Sequence, residues 1–245
     1  MRSVVRVCVV ALVMSAVPVV GQAVTEGEYD EPHNDVGDTL SLQRGARYFV
    51  NYCLGCHSAQ YVRYNRVAED LGISEDDLVE NLMFTGERPF DTMTNSMPAE
   101  DAARWFGVEP PDMSLLARSR GTDYIYSFLR GFYASPDRPT GVDNVVLPGT
   151  AMPHVLWELQ GVNNAVFTTD ENGNEHFVRF EPGMPGQLSA AAYDEVVRDI
   201  VNFLDYMSEP IQLQRQALGI RVIAFLLVFL VLAWLLKREI WSDVK

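Results

Sequence analysis

Five consecutive residues, Cys53-Leu54-Gly55-Cys56-His57, carry the sharpest chemical signal in the chain. Two cysteines separated by two residues and followed at once by histidine are the arrangement of c-type haem attachment. The spacing follows from the chemistry: each thiol adds to one vinyl group at the porphyrin edge, and the histidine is carried beneath the ring with an imidazole nitrogen aimed at the iron. Covalent anchoring and axial ligation come from one short turn. Two other readings of Cys-x-x-Cys compete. A zinc site needs a second ligand pair, but Cys8 is the only other cysteine, and His33, His154 and His176 stand apart from one another. A redox dithiol is expected between a strand and a helix of a thioredoxin-like unit, whereas an amphipathic helical pattern leads directly into this motif.

The second face of the iron decides what such a haem can do. A protein ligand on each face makes an electron carrier, while an open face allows binding or catalysis of a small molecule. A thioether opposite histidine stabilises ferrous iron and raises the potential. Met97, Met152 and Met184 each precede a proline, and periodicity alone does not rank them. His154 lies close to Met152 and is a competing ligand, although a loop histidine is ordinarily solvated.

The elements that must hold these groups can be read from hydrophobic spacing. From Thr39, the residues Leu40, Leu42, Ala46, Phe49, Val50 and Cys53 recur at helical intervals, giving an amphipathic helix that delivers the motif at its end. Gly45, one turn from Phe49, would let a second helix cross closely, and the stretch Ala190 to Met207 supplies the candidate, with Tyr193, Val196, Val197, Ile200, Val201 and Leu204 in one stripe. Between them, Ser74 to Met83 reads as a short capped helix, with Asp77 three residues after Ser74. Glu87 to Asp112 carries Pro89, Pro98, Pro110 and Pro111 and reads as a wrapping loop. Thr122 to Tyr133 reads as another helix, and Val155 to Phe180 as a β-hairpin around Asp170-Glu171-Asn172-Gly173-Asn174. The expected fold class is mainly α: a c-type cytochrome domain with long loops and a small β-hairpin, plus one C-terminal transmembrane helix.

Both ends carry membrane signals. Arg2 and Arg6, the apolar run Val7 to Val20 and Gly21-Gln22-Ala23 follow the plan of a secretory signal peptide over residues 1–23. Residues 24–38 are acidic and polar and are expected to lie extended. The haem domain is then 39–210. Residues 217–236 are apolar except for Arg221, and about twenty residues at 1.5 Å each match a hydrocarbon layer of about 30 Å. Residues 237–245 form the tail. Covalent haem attachment is a bacterial periplasmic step in proteins of this kind, so the haem domain is expected in the periplasm and the tail in the cytoplasm. The formal charge of -14 disfavours nucleic acid as a partner. An acidic docking face for a basic protein is the reading that a haem edge would give that charge.

The sequence resembles the cytochrome c1 family, the haem subunit of the cytochrome bc1 complex (quinol:cytochrome c reductase). The matching pieces are the haem pentapeptide with Tyr61 and Tyr64, Pro110-Pro111-Asp112-Met113-Ser114, Arg118-Ser119-Arg120-Gly121, Asp123-Tyr124, Pro139-Thr140-Gly141, Pro148-Gly149 to Met152-Pro153, and Leu236-Lys237-Arg238 with Trp241. The pentapeptide is common to c-type cytochromes; the proline-aspartate segment, late methionine and C-terminal anchor together are specific. The resemblance implies one covalent haem c, Met152 as sixth ligand opposite His57, Arg120 paired with a haem propionate, and Pro111 and Tyr124 lining the pocket. It implies one-electron transfer from a Rieske iron-sulfur protein to a cytochrome c beside a cytochrome b subunit. It places the protein in the bacterial inner membrane with a single pass. A haem subunit of a terminal oxidase, or another membrane-anchored carrier, shares most of these features, and an open-face haem sensor or enzyme is the remaining class. Two departures stand out. Trp105-Phe106-Gly107-Val108-Glu109 lacks an asparagine-rich run of some relatives, and the Val155 to Phe180 segment is longer than in some mitochondrial ones.

Overall fold

The computed structural model describes residues 29–171 and 173–242. The expected signal peptide and the last three residues of the expected tail lie outside the described residues. Helix α1 spans Thr39–Tyr48, and the Asp38 carboxylate caps it by accepting from the amides of Leu40 and Ser41. The coil then widens into one π-helical turn, Phe49–Cys53. Such turns recur at functional sites, and this one ends on the first cysteine of the motif.

The pentapeptide leads into strand β1, Ala59–Arg63, which pairs antiparallel with the two-residue β2, Thr92–Met93. Helix α2, Tyr64–Leu71, and helix α3, Glu75–Asn81, lie between them, the latter capped by Ser74 through the Asp77 amide as expected. The expected loop from Glu87 to Asp112 is corrected: it contains β2 and a further helix, α4, Ala99–Phe106. The prolines flank this helix. Pro98 occupies its N-cap, Glu100 and Asp101 its first turn, and Gly107 stops it with φ of 78°.

Two short helices follow, α5 over Leu116–Arg120 and α6 over Thr122–Arg130. The helix expected to reach Tyr133 ends three residues earlier, because Phe132–Ala134 forms strand β3. β3 pairs antiparallel with β4, Val142–Asn144, and parallel with β5, Gly161–Thr169, which follows the single-turn helix α7, Trp157–Gln160. β5 and β6, Glu175–Pro185, make the expected hairpin, longer by five residues than its expected end at Phe180. The β content therefore exceeds one hairpin: a four-stranded sheet in the order β4-β3-β5-β6 sits beside the helices.

Helix α8, Ala190–Ser208, crosses α1 and closes the core. The crossing is as close as the glycine suggests, since a Cβ on Gly45 would stand 2.1 Å from the Asp199 carbonyl oxygen and 2.7 Å from the Phe203 Cβ. Phe49 packs its ring 5.7 Å from that of Phe203, and both are fully buried. Burying each is worth about 2–3 kcal/mol. Polar groups fasten the same crossing: the buried Asp199 accepts from Ser41 at 2.7 Å and from Arg44 at 2.6 and 2.8 Å. Asn202 donates to Ser41 at 3.0 Å and to the Asp35 carbonyl at 2.8 Å. Residues 29–38 run over this face, held by Arg198 on the Pro32 carbonyl and by Arg130 on Asp30.

Residues 209–211 join α8 to α9, Gln212–Ile240. The most apolar 18-residue stretch of α9 has a mean hydropathy of 2.7, and no residue of the helix is buried against the domain. Its 29 residues reach about 43 Å at 1.5 Å each, more than the hydrocarbon layer requires. At the junction Glu209 binds Arg215 of α9 and lies 3.5 Å from Arg118 of α5.

Candidate functional site

The pentapeptide is wound tightly at the end of the π turn. The amides of Cys56 and His57 both donate to the Cys53 carbonyl, at 3.0 and 2.8 Å, so two thiols and one imidazole issue from a single turn. Both cysteines are half-buried and are not joined to each other. Burial, with Cys56 nearby, pushes the Cys53 thiol up to about 12. A redox dithiol needs the opposite shift, toward thiolate. Among the described residues no three His, Cys, Asp or Glu side chains converge as a metal-ligand set, so the zinc reading finds no partners for the pair.

The imidazole of His57 has one nitrogen engaged. Its Nδ1 lies 2.8 Å from the Pro111 carbonyl oxygen, an acceptor, so Nδ1 carries the proton and Nε2 keeps its lone pair. Burial lowers the His57 pKa, with the Pro111 carbonyl and Asp112 acting against it, which keeps the ring neutral at physiological pH. A neutral imidazole whose second nitrogen is hydrogen-bonded to a carbonyl is the usual state of a metal-ligating histidine.

Pro111 is held there by stitching between residues 58–61 and 112–114. Asp112 accepts from the amides of Gln60 at 2.9 Å and Ser114 at 2.8 Å, Ser114 Oγ accepts from the Tyr61 amide at 3.1 Å, and the Met113 amide donates to the Ser58 carbonyl at 2.7 Å. Asn95 adds a clasp that sequence reasoning missed: its side-chain amide donates to the Cys56 carbonyl at 2.6 Å. Asn95 sits thirty-nine residues from Cys56, and nothing local marks it.

A second group of residues is joined by rings. Arg120, exposed at the end of α5, places its guanidinium carbon 5.7 Å from the centre of the Tyr124 ring. Tyr124 stacks on Phe128 at 6.1 Å, Phe128 meets Phe132 edge-on at 5.2 Å, and Phe132 lies parallel to the imidazole of His154 at 4.8 Å. The row thus runs from Arg120 to within two residues of Met152. His154 is buried under Phe132 where a loop histidine was expected in solvent, and burial pushes its pKa down to about 4.

The three methionines differ in setting. Met152 is half-buried against the core, and Met97 is half-buried in the loop before α4. Met184 lies in β6, paired with Val162 and 51 % exposed. The seven expected residues thus form two groups: Cys53, Cys56 and His57 with Pro111, and Arg120 with Tyr124 and, through the ring row, the loop of Met152. Tyr193 of α8 is buried in the same core, its hydroxyl donating to the Leu129 carbonyl of α6 at 2.8 Å. Two thiols and a neutral imidazole with one free nitrogen on a single turn, with a half-buried thioether two residues before the end of the ring row, are a donor set that fits a covalently held haem.

Residues 30–244 match the model of the Cytochrome C1 family. The chain is 49 % identical over 221 residues to cytochrome c1 of Allochromatium vinosum, covering 89 % of this chain and 91 % of that one. It is 42 % identical over 219 residues to the ammonia monooxygenase gamma subunit of Nitrosomonas europaea, covering 89 % and 90 %. Cytochrome c1 of Rhodospirillum rubrum is 32 % identical over 251 residues, with 89 % and 84 % covered.

Proposed function

We infer the roles of individual residues from one premise: the chain belongs to the cytochrome c1 family. It is the haem c subunit of a cytochrome b-c1 complex, with cytochrome b and the Rieske protein as its partners, and it serves electron transfer within that reductase. It is a single-pass protein of the bacterial inner membrane. The finer reading is that the complex acts as a quinol:cytochrome c oxidoreductase, in which this chain alone carries electrons only, received from the Rieske protein and passed to a cytochrome c. We place the haem domain in the periplasm and the C-terminus in the cytoplasm.

Haem c, when bound, supplies an iron that changes by one electron. The chain's own residues prepare for it. Cys53 and Cys56 anchor the ring edge, and His57 presents Nε2 because Nδ1 is fixed on the Pro111 carbonyl. Met152 would supply a thioether to the iron, a ligand type that favours the ferrous state. Arg120 offers two parallel N–H groups to a propionate, a pairing a guanidinium makes better than an ammonium. Tyr124 supports Arg120 from its ring face, and Pro111 and Tyr124 border the pocket.

The observation that carries the reading is the 2.8 Å link from His57 Nδ1 to Pro111. The test is the oxidised optical spectrum of wild type beside Met152→Leu and Met184→Leu. Loss of the weak far-red iron-thioether band in the first alone, with carbon monoxide binding to its reduced form, is the expected result. A band that survives in Met152→Leu removes Met152 as ligand.

A further inference from the structure

We propose that Asn144, together with Asp143 and Thr150, positions the Met152 thioether; the proposal rests on Met152 being the sixth ligand. Asn144 is fully buried and Asp143 is 9 % exposed, at the end of β4, eight residues before the methionine. A buried polar side chain is costly unless its hydrogen bonds are made, and these two use theirs to tie the backbone of the ligand loop to α6 and to β4.

Asn144 works in both directions. Its Nδ2 donates to the Phe128 carbonyl of α6 at 2.8 Å, and its Oδ1 accepts from the amides of Val146 at 2.8 Å and Leu147 at 3.3 Å. Asp143 Oδ1 accepts from the Gly149 amide at 2.7 Å, while Oδ2 faces Arg138 at 3.6 Å. The chain continues toward the sulfur. The Thr150 amide donates to the Leu147 carbonyl at 3.2 Å, and the buried Thr150 hydroxyl accepts from the Met152 amide at 3.4 Å. On the far side, His154 is pinned by its stack on Phe132. Met152 is therefore bracketed, before by side chains tied to Phe128 and after by a ring tied to Phe132, and Phe128 and Phe132 are themselves in edge contact. A flexible thioether gains a defined position only if its backbone is fixed on both sides.

The measurement is carbon monoxide binding to the reduced holoprotein and the far-red band of the oxidised one, for Asn144→Ala, Thr150→Val, Met152→Leu and Asn202→Ala. Asn202 is equally buried and hydrogen-bonded but serves the α1–α8 crossing, so it reports general destabilisation. The expected result is a carbon monoxide-reactive fraction at least tenfold above wild type in Asn144→Ala, a smaller rise in Thr150→Val, and no rise in Asn202→Ala despite a lower melting temperature. Thr150→Val removes one hydroxyl and keeps the test open if Asn144→Ala does not fold. The positioning role is overturned if Met152→Leu binds carbon monoxide while both loop variants behave as wild type, or if Asn202→Ala rises as far as they do. A wild-type spectrum in Met152→Leu overturns the ligand reading and this proposal with it.

Discussion

Gly45 and Asp199 meet backbone to backbone at the crossing of α1 and α8, where a Cβ on the glycine would lie 2.1 Å from the aspartate carbonyl oxygen. The oxygen belongs to a long, buried helix and cannot turn aside. Gly45→Ala should force the helices apart and destabilise the fold by about 2–3 kcal/mol. For a domain of this size that is a fall in melting temperature of about 4–12 °C, read by far-ultraviolet circular dichroism. A melting curve identical to wild type would show that the helices have room to slide.

Arg120 stands on the Tyr124 ring as an exposed cation. If it pairs with a propionate, Arg120→Ala removes a positive charge that disfavours ferric iron, and the midpoint potential should fall by roughly 30–60 mV, 59 mV being tenfold for one electron. Arg120→Lys should restore part of it, because the charge returns without the two-pronged geometry. Potentiometric titration of the three proteins checks this, and an unchanged potential in Arg120→Ala would return the residue to an ordinary surface role.

Glu209 has its carboxyl held below the ordinary glutamate value of 4.5, chiefly by Arg215, with Arg118 adding to the effect. A folded-state pKa depressed in this way contributes stability that is full above the unfolded value and is lost as pH falls through the folded one. The junction should therefore loosen below about pH 4.5, the side of the titration where the depressed carboxyl takes up its proton. Limited proteolysis at residues 209–215 in detergent, compared at pH 6 and pH 3.5, should show this opening in wild type. Glu209→Gln should be cut at the same rate at both values.

The net charge of -14 gives a basic acceptor a reason to approach. Electron transfer to such an acceptor should slow steeply between low and physiological ionic strength, since steering between charged surfaces is screened within about 8 Å at 0.15 M salt. Stopped-flow rates across a salt series check it. A flat profile would argue for an apolar or preassembled contact.

What could be read from the residues was what is local or periodic. The haem motif, the Ser74 cap, the α1 and α8 stripes, the Gly45 crossing and the apolar α9 each announce themselves within a few turns of chain. Ala99–Phe106 hides among prolines that suggest a loop, because Pro98 opens the helix where a proline is tolerated and Gly107 stops it. The parallel pairing of β3 with β5 was hidden for a different reason: it joins Tyr133 to Asn163 across thirty residues, and three-residue strands carry almost no alternation. Asn95 and Asn144 were invisible as well, because an amide side chain reaching backbone at long range leaves no pattern in composition or spacing.

Three residues separate the end of α8 from the start of α9. Fully stretched they cover about 10 Å, and Glu209 already holds the joint closed with Arg215. So short a joint leaves the electron-bearing head little slack: it can turn about its mast but cannot travel far from it.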